Sequence, residues 1–194
     1  MPTYHVADLP RVHRFALAET EQIVARVVPA QWRDPTPCSE WDVRALLEHI
    51  VRENLWAVAL MAGRTIQEVG DRLEGDVLGA DPLRAYQVSA RAAAELFEEP
   101  GALERPVAVS YGPVPGRVYL GHRFLDVLVH GWDLARATGQ RVQLDPGLVE
   151  ALWQLVVEPE GTAGQPSDWF GPEVPVADEA DLQTRLLARL GRRA

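Results

Sequence analysis

One long stretch, residues 119–139 (YLGHRFLDVLVHGWDLARATG), limits most strongly what this chain can fold into. At about 100° per residue, its apolar side chains cover well over half of a helix circumference, whereas a surface helix has a stripe of ~100°. These apolar residues are Phe124, Leu125, Val127, Leu128, Val129, Trp132, Leu134 and Ala135. The pattern therefore predicts a helix that is largely enclosed by other elements.

The remaining arc of this helix is polar and has a regular spacing. It carries His122, Asp126, His130 and Asp133 in successive turns, and Asp126 and His130 are four residues apart, which places them on one face. If that arc is also covered, its polar groups need partners, and a metal ion at a cavity wall would provide one. The alternative is a solvated polar face with no ligand.

A second long helix is predicted from PTPCSEWDVRALLEHIVRENLWAVALMAG. Ser39 followed by Asp42 is a capping-box-like start, and Gly63 closes the helix. His49 and Glu53 lie one turn apart at the edge of its apolar face. His49 alone could be a boundary histidine with one hydrogen bond, but together with the Asp/His helix it becomes a candidate metal ligand.

The rest of the chain is also predicted to be mainly helical. An Asp-Pro pair, which favours a helix start, occurs twice, at 81–82 and at 145–146. The expected segments are a helix over 9–28 capped by Asp8, a long connection over 64–80, a helix from Pro82 to about Glu98, a short β-hairpin or extended loop between Glu104 and Val118, a helix from Pro146 to about Glu158, a packed loop anchored by Trp169 and Phe170, and a last helix capped by Asp178 and running through Leu190.

Two further residues have more than one interpretation. His13, in the second turn of the first helix, is expected to be a surface or boundary histidine. Cys38 precedes a helix start, where a thiol pKa can be lowered, but a small buried residue is the favoured interpretation. Since Cys38 is the only cysteine, no internal disulfide can form, and a reducing cytoplasm is the expected compartment.

Charge and hydropathy exclude several classes of partner. The formal net charge is -9, which argues against binding to nucleic acid or to an anionic membrane. No signal peptide is apparent, and no window approaches ~18 uninterrupted apolar residues. We therefore expect a soluble cytoplasmic protein with residues 1–194 in a single domain.

These elements predict an all-α protein: a four-helix bundle with a long crossover, a short hairpin or loop insertion and extra C-terminal helices. Such bundles build metal sites from facing helices. One His from the second helix with an Asp and a His from the fourth would leave a coordination position open, as in catalytic zinc sites. This ligand set suits Zn, Fe, Ni or Co, and it also has the composition of a non-haem iron facial triad.

Three segments carry a resemblance to a known family: PTPCSEWDVRALLEHIV, FLDVLVHGWDLARATGQ and FGPEVPVADEADLQTRLLARLGR. They resemble the actinobacterial metal-binding family related to the N-terminal domain of mycothiol-dependent maleylpyruvate isomerase, within the DinB-like four-helix bundles. The resemblance implies that the metal ligands are His49, Asp126 and His130. Asp126 stands where the isomerase carries Glu.

The resemblance also implies a function, namely a metal-dependent enzyme whose open coordination position takes a low-molecular-weight thiol, mycothiol in particular. The expected metal is zinc, with nickel, iron or cobalt as alternatives, and the expected substrate is a small electrophile. Thiol transfer or conjugation is preferred to isomerisation.

Several alternatives stay open. The protein could bind metal without catalysis, or it could be a metal-dependent hydrolase with Glu53 or Asp133 as its base. His122 is the next residue to consider as a ligand. Either a monomer or a homodimer is compatible with the sequence.

Overall fold

The computed structural model describes residues 8–157 and 170–193. Its elements, in chain order, are α1 (Leu9–Val24), a 3₁₀ helix (Pro29–Arg33), α2 (Val43–Met61), the short α3 (Ile66–Val69), α4 (Pro82–Phe97), β1 (Pro106–Val109), β2 (Gly112–Pro115), α5 (Gly116–Ala137), α6 (Pro146–Val157) and α7 (Leu182–Arg189). The predicted all-α class is confirmed. Among the described helices, none combines the length and apolar character needed to span a membrane.

The four long helices α1, α2, α4 and α5 form the bundle. Helix α1 packs on α5 and α4, and α2 packs on α4 and α5, so each helix has two neighbours. The predicted crossover joins α2 to α4 and contains α3, and the predicted hairpin joins α4 to α5 as the antiparallel pair β1–β2. Helices α6 and α7 pack on each other beside the bundle.

Helix α5 is the central element, as its apolar width predicts. Trp132 and Phe124 are among the largest fully buried side chains of the protein. The helix begins at Gly116, where an added Cβ would overlap the carbonyl oxygen of Ala102. Only glycine allows the start of α5 to approach the turn that follows α4 so closely.

Three predicted helix ends are wrong by a few residues, and hydrogen bonds of the adjoining segments accompany each difference. Helix α2 is capped by Asp42, which accepts from the Ala45 N–H, instead of Ser39. The loop before it is held by the Thr36 hydroxyl, which lies 2.8 Å from the Trp41 carbonyl oxygen. Helix α7 is capped by Asp181 instead of Asp178, since Asp178 lies in a turn in which the Ala180 N–H donates to the Ala177 carbonyl. Before this turn, Val174 donates to the Ala188 carbonyl.

The third boundary is the end of α1, which stops at Val24 instead of residue 28. Gln140 donates its side-chain amide to the Ile23 carbonyl, which satisfies one of the last acceptors of the helix. The expected end of α6 at Glu158 and the loop anchor Trp169 lie outside the described residues.

The prediction for His13 is wrong, since its side chain is completely buried. It lies edge-on to Phe97 with ring centroids 5.6 Å apart. Burial first, and then the charge of Arg123, lower the pKa of His13 to about 3. His13 shares the interior face of α1 with Leu9, Ala16 and Leu17, a spacing that could have revealed its burial.

Candidate metal site

The fold brings His49 of α2 and both Asp126 and His130 of α5 together. Their ligand atoms all lie within 4.8 Å of one another. Asp126 Oδ1 is 3.1 Å from His49 Nε2 and 3.5 Å from His130 Nε2. The two imidazole rings are nearly perpendicular, at 85°, with centroids 5.0 Å apart. The side chains that the sequence pointed to as ligands therefore converge on one point between α2 and α5.

Asp133, supported by Arg192, holds the Nδ1 side of the His130 ring. Its Nδ1 lies 3.0 Å from Asp133 Oδ2, and Asp133 is fully buried. Arg192 donates to both oxygens of that carboxylate, at 2.7 Å from Nη2 and 3.2 Å from Nε. This chain of contacts fixes the ring so that Nε2 points toward Asp126, as outer partners of metal-binding histidines commonly do.

Asp126 is paired with a buried arginine that sequence reasoning missed. Arg123 Nη1 lies 3.2 Å from Asp126 Oδ2 and 3.2 Å from Glu53 Oε2. Burial of Asp126 favours its neutral form, but Arg123, His49 and His130 outweigh that effect and lower the pKa of the carboxyl. The spacing of three residues between Arg123 and Asp126 on one helix was the available signal.

His49 lies against Trp41 at the edge of the site. The two rings are stacked with centroids 4.6 Å apart and an interplanar angle of 28°. Burial disfavours the charged imidazole, but Asp126 and then Glu53 outweigh burial and raise the pKa of His49. Trp41 precedes the α2 cap Asp42, so the start of α2 also positions the His49 ring.

The donor chemistry of the three residues fits a divalent metal ion. When neutral His130 donates its Nδ1–H to Asp133, Nε2 carries a lone pair directed at Asp126 Oδ1. Two acceptor atoms 3.5 Å apart repel each other unless a proton or a cation lies between them. Two imidazoles and one carboxylate suit Zn²⁺ and also Fe, Ni or Co.

Cys38 lies on the other side of His130. Its Sγ is 3.3 Å from Asp133 Oδ2, 3.3 Å from Arg192 Nη2 and 3.7 Å from His130 Nδ1. Burial and then the Asp133 charge raise the pKa of this thiol to about 12. The lowered-pKa alternative for Cys38 is therefore wrong. Cys38, His130 and Asp133 also lie within ligand distance of one another, but Arg192 already supplies a positive charge there.

The two other residues that the sequence singled out, His122 and Glu53, line the cavity but lie outside the group of His49, Asp126 and His130. His122 Nε2 is 3.3 Å from the hydroxyl of Tyr111, at the turn of the hairpin. Glu53 is one third exposed and paired with Arg123. Asp133, in contrast, is bonded on both oxygens and turned away from the cavity side of His130.

The site opens into a cavity of about 880 Å³, a volume that suits a small-molecule ligand. Helices α2 and α5, the hairpin, and the segments around Phe170 and Arg192 form its walls. His49, Asp126 and His130 all line it. A ligand in the cavity could therefore reach any ion that these residues hold.

Comparisons with known proteins place the chain in a family. The family model of the mycothiol maleylpyruvate isomerase N-terminal domain matches residues 13–135, which include His49, Asp126, His130 and Asp133. Two uncharacterized proteins of Mycobacterium tuberculosis, from strains CDC 1551 / Oshkosh and H37Rv, are each 37% identical over 187 residues. The alignment covers 93% of this chain and 95% of each relative. No solved structure matches the chain significantly. The chain belongs to the family of the mycothiol maleylpyruvate isomerase N-terminal domain.

Proposed function

We propose that His49, Asp126 and His130 bind a divalent metal, preferably zinc, and that the protein transfers a low-molecular-weight thiol to an electrophilic substrate. The observation that carries the proposal is the orientation of His130. Asp133 and Arg192 hold its Nδ1 side, which leaves Nε2 directed at the point where Asp126 and His49 converge.

The proposed ligand set leaves room for an exogenous thiol. Three protein donors with one negative charge are the pattern of catalytic zinc, in which a fourth position is open. A bound divalent metal lowers the pKa of a coordinated thiol and so provides a thiolate near pH 7. Mycothiol is the proposed thiol because the family is named for it.

The chain itself offers no competing nucleophilic thiol. Cys38 is its only cysteine, and the raised pKa keeps this residue protonated at neutral pH. An added thiol is therefore the nucleophile in our proposal. Its sulfur forms a bond to the electrophilic carbon, and in an addition to a double bond the thiol proton ends on the neighbouring carbon.

A metal-dependent hydrolase is the second candidate function, and of Glu53 and Asp133 only Glu53 is placed to act as its general base. Asp133 cannot act as a base on a ligand in the cavity because both of its oxygens are engaged by His130 and Arg192. Glu53 is partly exposed on the cavity wall and could accept a proton from water. Hydrolysis that depends on Glu53 and needs no thiol would favour this candidate over thiol transfer.

Metal binding is tested by zinc content and affinity. We expect His49→Ala, Asp126→Ala and His130→Ala each to weaken zinc binding by at least about tenfold, as loss of a ligand does. The control is His122→Ala, which changes a histidine of the same cavity outside the group of ligands. Zinc binding with unchanged affinity in His130→Ala would contradict the proposed site.

Thiol binding is tested on the zinc-loaded protein by calorimetry in two buffers of different ionisation heat. We expect mycothiol to bind with release of about one proton near pH 7, because a coordinated thiol binds as the thiolate. His130→Ala should abolish both this signal and conjugation to an electrophile, whereas Cys38→Ser should retain most of both. Loss of activity in Cys38→Ser but not in His130→Ala would mean that the protein's own thiol is the nucleophile.

A further inference from the structure

The cavity wall next to the metal site is apolar and largely aromatic. Going from His49 toward the hairpin, a ligand would meet side chains of the loop before α2, of α2 itself, of the crossover and of the first half of α5. These side chains are Trp41, Trp56, Leu60, Ile66, Tyr119 and Leu125. Such a wall favours a flat apolar group, because it offers extensive contact area and aromatic faces for stacking.

The charged groups of the cavity are mainly acidic. Glu40, Glu53 and Asp126 line it, together with the guanidinium groups of Arg123 and Arg192. Both guanidinium groups are already paired with carboxylates. Arg123 Nη1 contacts Asp126 and Glu53, and Arg192 is bound to both oxygens of Asp133.

Neither arginine can receive an anionic substrate group without breaking a buried ion pair. The other two nitrogens of Arg123, Nε and Nη2, are fully buried, so a ligand in the cavity cannot reach them. Residues 1–7, 158–169 and 194, which the structure does not describe, contain no Arg or Lys. No further arginine or lysine from those segments can therefore supply the missing positive charge.

A bound metal and a thiolate do not change the sign of the net charge of the site, which stays negative. The site holds the four carboxylates of Glu40, Glu53, Asp126 and Asp133 and the two guanidinium groups of Arg123 and Arg192, and a divalent metal with one thiolate adds a single positive charge. The loaded site thus keeps about one net negative charge. A carboxylate on the substrate would enter a region that already repels it.

From this cavity we infer that the electrophile is an uncharged molecule with a flat apolar group, and that mono- and dicarboxylates are excluded. This inference rests on the proposed thiol transfer and specifies its substrate class. The sulfur adds to an electron-poor C=C bond, the π bond breaks, and the thiol proton ends on the adjacent carbon. The apolar part of the substrate lies against Trp56 and Leu60.

The test uses two electrophiles that differ by one carboxylate, N-phenylmaleimide and N-(4-carboxyphenyl)maleimide, with mycothiol and the zinc-loaded full chain. After subtraction of the uncatalysed rate, we expect kcat/KM to be at least about tenfold higher for the uncharged compound, since like-charge repulsion acts against the other. Equal rates, or faster conjugation of the carboxylate, would overturn the inference and leave thiol transfer intact.

A binding measurement separates this inference from the proposed chemistry. The corresponding succinimides lack the C=C bond and cannot react, so their affinities can be measured by calorimetry with or without zinc and thiol. We expect N-phenylsuccinimide to bind at least about tenfold more tightly than its 4-carboxy derivative. If the succinimides show this difference but no maleimide is conjugated, the proposed function fails and the substrate class stands. Equal succinimide affinities would overturn the substrate class.

A pair of charge reversals tests whether the discrimination arises in the cavity. Glu40→Arg places a cation at the exposed rim, and we expect it to reduce the preference for the uncharged electrophile by about threefold or more. Glu150→Arg makes the same change in net charge at an exposed position of α6 outside the cavity, and the preference should not change. An equal effect of both variants on this preference would show that the preference does not arise in the cavity.

Discussion

His130 is the residue on which the candidate site depends, because each of its ring nitrogens contacts a different carboxylate. Nδ1 faces Asp133 at 3.0 Å and Nε2 faces Asp126 at 3.5 Å. Asp133 is neutralised by Arg192, and Asp126 by Arg123. Each carboxylate next to the histidine therefore also has an arginine as its partner.

His13 provides a pH prediction away from the metal site. Its pKa of about 3 in the folded protein lies below the ordinary value of 6.5, so the unfolded chain binds the proton more readily. The stabilising contribution is complete above pH 6.5 and is lost progressively as the pH falls toward 3. At pH 5 the loss is about 2 kcal/mol, from ~1.4 kcal/mol per pKa unit.

The measurement is urea unfolding with chelator present at several pH values, for the wild type and for His13→Leu. We expect the free energy of unfolding of His13→Leu to fall less between pH 7 and pH 5, because Leu has no proton to bind. His122→Gln is the control, and its free energy of unfolding should change with pH as in the wild type. His122 lies on α5 beside the hairpin turn and outside the buried core. If the free energy of unfolding changed with pH in the same way for the wild type and for His13→Leu, the predicted lowering of the His13 pKa would be wrong.

At the residue scale, site residues that are close to each other along the chain could be predicted from the sequence, whereas contacts between residues far apart along the chain could not. Asp126 and His130 were predictable because a helix places residues four apart on one face. Arg192 follows the last helix, and no local pattern connects it with Asp133, 59 positions earlier. His13 was misassigned because a histidine is expected at a surface or boundary, whereas the packing against Phe97 requires its burial.

At the element scale, α1 and α5 approach each other closely at one small residue. Gly131 of α5 faces Thr20 of α1, whose hydroxyl donates to the Val127 carbonyl of α5. An added Cβ at Gly131 would overlap Thr20 Oγ1. Since α5 carries Asp126 and His130, this contact also positions the proposed ligands.

We therefore expect Gly131→Ala to destabilise the protein, although Ala is the better helix former by ~1 kcal/mol. Overpacking costs about 1–3 kcal/mol, so after the gain in helix propensity the net loss in the free energy of unfolding should be about 1 kcal/mol and at most about 2 kcal/mol. In a double-mutant cycle with Thr20→Ala, which removes the obstructing hydroxyl, part of this loss should be recovered. A Gly131→Ala variant at least as stable as the wild type would show that the helices can separate without cost.

Helix ends were predictable where one local signal dominates and wrong where two signals compete. Both Asp-Pro pairs start helices as predicted, at Pro82 and Pro146. Ser39 and Asp42, and likewise Asp178 and Asp181, are candidate caps three residues apart, and in both pairs the later residue is the cap. Propensity cannot choose between such caps, because the choice depends on how the hydrogen bonds of the preceding loop hold the chain.

At the scale of the whole molecule, the fold decides which helix faces which. Residue patterns predicted that α2 and α5 each carry polar groups beside an apolar face. They could not establish that His49 would lie 3.1 Å from Asp126, 77 positions away along the chain. The family resemblance provided that pairing, and the packing of α2 on α5 in the bundle accounts for it.

Because the proposed ligands come from two helices, metal binding should stabilise the whole fold. A metal at 100 times its dissociation constant adds about 2.7 kcal/mol to the free energy of unfolding. For a chain of this size that corresponds to a rise in Tm of roughly 5–10 °C. Chelation should therefore lower the Tm by a similar amount but leave the protein folded, since the core around α5 is apolar and does not include the ligands.

The measurement is thermal unfolding before and after metal removal, with the metal content of each sample verified. His49→Ala should show almost no effect of the chelator, because it has lost the ligand that links α2 to α5. His122→Ala should keep the wild-type shift, which separates loss of a ligand from loss of any histidine in the cavity. If complete removal of bound metal left the wild-type Tm unchanged, the ion would not connect the two helices, and the role of Asp126 would have to be assigned to its contacts with Arg123 and His49.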